Sequence, residues 1–132
     1  VQQNDWGRDA IDQFVLSKLE SAGLSPAADA SRPVLLRRIY FDLVGLPPAP
    51  ADLDRFLARA DADGDDAALA AEVDSLLATA QYGEHWARHW LDVARYSDTK
   101  GYVYAREERF WVHAWAYRDW VIQAFQRNLP YD

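Results

Sequence analysis

Four side chains with reactive chemistry, His85, His89, Asp92 and Tyr96, recur at i, i+4, i+7 and i+11 within YGEHWARHWLDVARYSDTKGY, residues 82–102. On a helix that spacing puts all four along one stripe. Two imidazoles a turn apart, with a carboxylate a turn further on, form part of a ligand set for a divalent transition metal. His85 and His89 would be the first ligands, and Asp98 or His113 would complete the shell. The H-E-x-x-H pattern of zinc peptidases is absent, because Trp86 stands where the general-base glutamate belongs. The plainer reading, which the spacing favours, has both histidines hydrogen-bonding Asp92 or backbone groups beside the tryptophans.

Arg88, Asp92 and Arg95 are also spaced three to four apart, so Asp92 can hold either arginine. Such a pair contributes ~0.5 kcal/mol on an open surface, but in a half-buried aromatic setting it would fix the orientation of the helix. The functional alternative is an arginine clamp for an anionic ligand. Beyond the helix, Ser97-Asp98-Thr99-Lys100-Gly101-Tyr102 reads as a turn. Asp98 there could bind a cation or a sugar hydroxyl, with Tyr102 or Tyr104 as a stacking face. Equally, Asp98 and Thr99 could cap the turn through their own backbone. The ligand- or partner-binding candidates are therefore His89, Asp92, Arg95, Asp98, Lys100 and Tyr102. A Ser97–His89–Asp98 hydrolase would need a coincidence of folding, since no G-x-S-x-G elbow, P-loop or dinucleotide fingerprint is present.

A third constellation is acidic. Asp61, Asp63, Asp65 and Glu72 fall at positions 1, 3, 5 and 12 of an EF-hand loop, between two expected helices. The glycine required at position 6 is replaced by Asp66, and Gly64 comes early. Calcium at Asp61, Asp63 and Asp65 is one expectation; helix capping and solvation account for the same acids.

The elements that must position these residues read as helices. The first spans 10–22, with Asp9 as N-cap, Ile11, Phe14, Val15 and Leu19 facing inward, and Gly23-Leu24 with Pro26 as the stop. The second spans about 32–44, tolerates Pro33 in its first turn, buries Leu35, Leu36, Ile39, Tyr40 and Leu43, and stops at Gly45-Leu46-Pro47-Pro48. A short helix from Pro50 to about Arg59 and another over 67–79, with Leu69, Val73, Leu76 and Leu77 inward, flank a loop at 61–66. The central helix should run from Tyr82 or Gly83 to about Tyr96. After a long loop, a last helix from about Phe110 to Arg127 carries a stripe of Trp111, Trp115, Ile122 and Phe125, widened by Tyr117, Trp120, Val121 and Ala124. Only Gly101–Tyr104 resembles a strand. The expectation is an all-α fold, about six helices packed around an aromatic-rich core.

At 132 residues the chain reads as a single helical domain, long enough to bury roughly two thirds of its unfolded surface. Half the residues are apolar and 27% are charged, which excludes a disordered chain. No apolar run approaches the ~20 residues of a membrane span. With no cysteine, disulfides, thiolate zinc sites and a covalent CxxCH haem are excluded within it. The absence of methionine fits a chain that begins after processing or inside a longer protein. The net charge is −7, and residues 50–80 carry eight acids against Arg55 and Arg59, a local balance of −6. An acidic chain without a basic stripe argues against nucleic-acid binding.

Four blocks in order, IDQFVLSKLESAGLSP (11–26), LLRRIYFDLVGLPPAP (35–50), YGEHWARHWLDVARYSDTKGY (82–102) and YRDWVIQAFQRNLPYD (117–132), resemble the second planctomycete cytochrome-associated domain, a family of unknown function. His89, Asp92, Arg95, Asp98 and Gly101 fit its pattern. The resemblance implies an exported location, periplasmic or cell-surface, in a larger multidomain protein. It also implies neighbouring domains as partners, among them a cytochrome-c-type module that would hold the haem. It supplies no catalytic residues.

Three functions remain open at this point. The first is an accessory helical domain that presents residues 82–102 and its aromatic last helix to a partner domain or ligand. The second is an enzyme domain acting on carbohydrate through Asp98, Asp92 and His89. The third is a redox domain in which His89 or His85 ligates haem or metal.

Overall fold

The computed structural model describes residues 6–100 and 110–131. Among them are six helices and no strand, so the fold is all-α as expected: α1 (Ala10–Ser21), α2 (Arg32–Val44), α3 (Pro50–Asp63), α4 (Asp65–Leu77), α5 (Ala80–Val93) and α6 (Ala114–Gln126). Gly101–Tyr104, the one strand-like segment, lies outside the described residues. The chain divides into two compact units, Val1–Ser31 and Arg32–Asp132.

The first unit contains α1. Asp9 caps it by accepting a hydrogen bond from the Asp12 N–H at 2.9 Å. Its far end closes as the sequence implies: the Leu24 N–H donates to the Leu19 carbonyl at 2.9 Å and the Gly23 N–H to that of Glu20 at 3.0 Å. The face differs from expectation. Leu16 is the buried residue, while Ile11, Phe14 and Val15 are exposed. Leu19 is half-buried, and Ile11, Phe14 and Val15 form an exposed apolar surface.

In the second unit, α2, α3 and α4 enclose a core of Leu36, Tyr40, Val44, Phe56, Ala60, Ala68 and Leu76. Gly64, at a φ of 89°, is the joint between α3 and α4. The expected loop at 61–66 is therefore mostly helical: α3 runs through its alanines to Asp63 and α4 starts at Asp65. On α4 the buried line is Ala68, Glu72 and Leu76: Leu76 is inward as expected, Leu69 and Val73 are half-buried, and Leu77 is exposed. A polar residue occupies the centre of a buried face, and apolar periodicity alone does not count it as inward.

Thr79 starts α5 two residues earlier than the sequence suggested, its hydroxyl accepting from the Tyr82 N–H at 3.3 Å. α5 packs against α2 and α6. At Gly83 it meets α6 so closely that a Cβ there would lie 2.8 Å from the Ile122 carbonyl oxygen. Only a residue without a side chain permits that approach. The core is largely aliphatic, with Tyr40 and Phe56 its aromatic members. Most tryptophans lie outside it: Trp6, Trp86, Trp111, Trp115 and Trp120 are exposed.

Candidate functional site

The end of α5 is built by backbone geometry before any side chain acts. The Tyr96 N–H donates to the Leu91 carbonyl at 2.9 Å, and the Arg95 N–H to that of Asp92 at 3.1 Å. Arg95 takes a left-handed φ of 54°, so the helix stops at Val93 and the chain turns away. The expected stripe therefore loses Tyr96, and Arg95 no longer has helical backbone. Asp92 is exposed and, among the described residues, holds neither Arg88 nor Arg95. Helical spacing suggested those pairs; the early helix end and the open surface remove the reason for them.

After the turn the chain crosses to α6. The Trp111 N–H donates to the Asp98 carbonyl at 2.9 Å, and Thr99 pairs with Phe110 in an isolated antiparallel bridge. These contacts hold residues 110 and 111 in extended backbone, which is why α6 begins at Ala114 rather than at Phe110. The Asp98 carboxylate accepts from the Tyr96 hydroxyl and, at 2.8 Å, from Arg118 Nη1. Arg118 also donates to Asp119 at 3.3 Å. Burial, then the Asp98 carboxylate, pushes the Tyr96 phenol above its ordinary value. Asp98 is thus tied to α6 by the Arg118 cation and to the turn after α5 by the Tyr96 phenol. Lys100 lies with its Nζ 4.9 Å from the centre of the Trp111 ring, a cation–π contact. Tyr102 and Tyr104 lie outside the described residues.

Of the expected metal ligands, His85 and His89 do approach each other, with ring centres 5.4 Å apart and planes at 90°. His85 is half-buried against the end of α2, whereas His89 is exposed and tilts against Trp86 at 5.4 Å. His113 sits at the N-cap of α6. Among the described residues no three His, Asp or Glu side chains are grouped to hold a metal ion.

The acidic residues have a partner that sequence spacing could not identify. Arg32 bridges the α3–α4 joint, with Nη1 at 2.6 Å from Asp61 and Nη2 at 2.7 Å from Asp65. Asp61 and Asp63 are helical, so the backbone does not form the twelve-residue loop on which an EF-hand depends. Glu72, the expected twelfth ligand, points inward. It is 3% exposed and accepts from the Tyr40 hydroxyl at 2.8 Å and from Arg55 at 2.9 Å. Arg55 also reaches Asp52 at 2.8 Å.

The aromatic last helix, expected to serve core and docking face alike, gathers a group of rings at the surface. Trp90 Nε1 donates to the Tyr117 hydroxyl at 3.1 Å, Tyr117 stacks on Trp120 with planes at 17°, and Tyr96 and Tyr131 flank the group. Beside it, α5, α6 and the following segment border a groove of about 530 Å³ lined by residues including Tyr82, Trp90, Trp120, Phe125, Leu129 and Tyr131. Its walls are mainly apolar. The signal was in the sequence as an over-wide aromatic face on the last helix, more than one neighbouring helix can cover.

An all-helical domain with an aromatic face and no assembled metal cluster among its described residues is a class of protein rather than an activity. Residues 10–132 match the family model PSCyt2, described as a protein of unknown function (DUF1549), and the chain belongs to that family. It is a domain of unknown function associated with cytochrome-type proteins. No curated protein and no solved structure gave a match. No described helix is long and apolar enough to cross a membrane.

Proposed function

We propose that this is an accessory, docking domain of an exported, cytochrome-associated multidomain protein, whose α5–α6 aromatic face receives a neighbouring cytochrome-c-type module. The observation that carries this reading is the exposure of Trp111, Trp115 and Trp120 at 55%, 54% and 58%. Folding normally buries such rings, because each removes 150–250 Å² of surface from water. Tryptophan and tyrosine are also the side chains most favoured as interface anchors. The groove beside Trp120 supplies concavity, and the Trp90–Tyr117 hydrogen bond with the Asp98–Arg118 pair holds the face in one shape before a partner arrives. The candidates Asp98 and Lys100, held against Arg118 and Trp111, then form polar surroundings of that face.

The test is a titration of the cytochrome-c-type module of the same polypeptide against this chain, followed by tryptophan fluorescence. Binding should weaken at least ~30-fold in the Trp111→Ser, Trp115→Ser, Trp120→Ser variant, the loss expected when hot-spot rings are removed. Exposed substitutions of this kind shift stability by about 0.5 kcal/mol or less each, so the variant should stay folded. Unchanged affinity in the folded variant would overturn the assignment.

A further inference from the structure

α5 carries two imidazoles one turn apart, and the fold leaves both without the partners their spacing suggested. His85 and His89 have ring centres 5.4 Å apart with planes at 90°. Among the described residues neither ring makes a hydrogen bond, to Asp92 or to the backbone. His85 turns its Nδ1–Cε1 edge onto Gly45, the residue after α2, so closely that a Cβ there would lie 2.8 Å from Cε1 and closer still to Nδ1. That packing seats the ring and leaves Nε2 as the nitrogen open to a ligand. His89 is exposed, with its ring 5.4 Å from that of Trp86. One ring is already held and the other lies at the surface beside it, so closing on an ion costs the ordering of little more than one side chain.

Two imidazoles at i and i+4 on one helix face are a chelating pair, the same pair that the H-E-x-x-H helix presents to zinc. Two protein ligands fall short of the three or four that zinc sites use. Copper(II) is different. It takes a tetragonal set of nitrogen and oxygen donors, and it binds such ligands most strongly of the first-row divalent ions. The surrounding field is mixed. α2 ends at Val44, so the negative end of its dipole lies beside the His85 ring, and Asp42 adds a negative charge; Arg88 on α5 opposes them.

We propose that His85 and His89 form an open site for a copper(II) ion, held through two imidazole nitrogens with water in its remaining positions. It stands independently of what the aromatic face binds.

The test is a titration of the purified chain with copper(II) sulfate near neutral pH, read by electron paramagnetic resonance and by tryptophan fluorescence. The bound ion should show the nitrogen splitting of two imidazoles. It should also quench Trp86, whose ring lies 5.4 Å from His89 and 6.2 Å from His85, and Trp86→Phe should remove that quenching. Changes to groups that merely support a ligand cost ~10–100-fold in metal affinity, so His89→Gln, at an exposed position, should weaken binding at least ~10-fold. His85→Gln should do the same, while His113→Gln, at the N-cap of α6, should leave binding unchanged. A spectrum with one nitrogen ligand, or unchanged affinity in either His85→Gln or His89→Gln, would mean an adventitious ion only and overturn the proposal.

Discussion

The two halves of the second unit solve the same problem differently. Around α2–α4, small aliphatic residues enclose Phe56, and the one buried charge, Glu72, is matched by Tyr40 and Arg55. Around α5–α6, only Gly83, Ala87 and Val121 are buried, and the large rings lie at the surface. The first half spends its apolar surface on its own stability. The second keeps its apolar surface available, with small residues at the helix contact holding the rings outward. A helix pair can be firmly joined through glycine and alanine and still leave its aromatic side chains for something else.

That contrast can be broken most sharply at Phe56, which is 2% exposed. Phe56→Ala should cost ~3–5 kcal/mol in denaturant unfolding, the range for emptying an aromatic site in a tight core. Glu72→Ala should cost ~1–3 kcal/mol, because the Tyr40 hydroxyl would be left buried without an acceptor. Glu72→Gln keeps an acceptor for Tyr40 and should cost less than the alanine change, which distinguishes a hydrogen-bond role from a requirement for charge. The smallest stability effect belongs to Trp111, Trp115 and Trp120, where the loss should appear in binding instead.

The first half should also respond to acid. The Ala49 N–H, then Arg55, hold the Asp52 carboxyl below its usual value. A depressed carboxyl contributes stability that is present above its unfolded value of 3.8 and is lost as pH falls through the lower folded one. The stabilisation that Asp52 gives α2–α4 should therefore be lost below about pH 4. Denaturant unfolding of the wild type and of Asp52→Asn, compared from neutral to acid pH, would show it, and the same pH dependence in both would remove the assignment.

Much of the fold was legible because helix ends carry local chemistry. Asp9, Gly23, Gly45 and Pro50 acted where their side chains or dihedrals required. The faces were less legible. Ile11 and Phe14 sit at helical spacing yet face outward, and Glu72 sits on the buried line of α4, because burial depends on what lies opposite a helix and spacing does not report it. For the candidate site, residues 96–100 were located but their partners were not. Arg118 lies 20 residues from Asp98, and Arg32 lies 29 and 33 residues from Asp61 and Asp65, separations that no motif encodes. The aromatic excess of α6 was visible in sequence and was read both as core and as a docking face; an apolar ring looks the same in sequence whether it fills a core or awaits a partner.

The central claim is that the α5–α6 aromatic face is covered by a neighbouring domain in the native protein. The direct measurement is oxidative footprinting of each tryptophan in this chain alone and in the natively purified protein. Trp111, Trp115 and Trp120 should be readily modified in the chain alone and strongly protected in the native protein. Equal modification of the three in both samples would contradict the docking account.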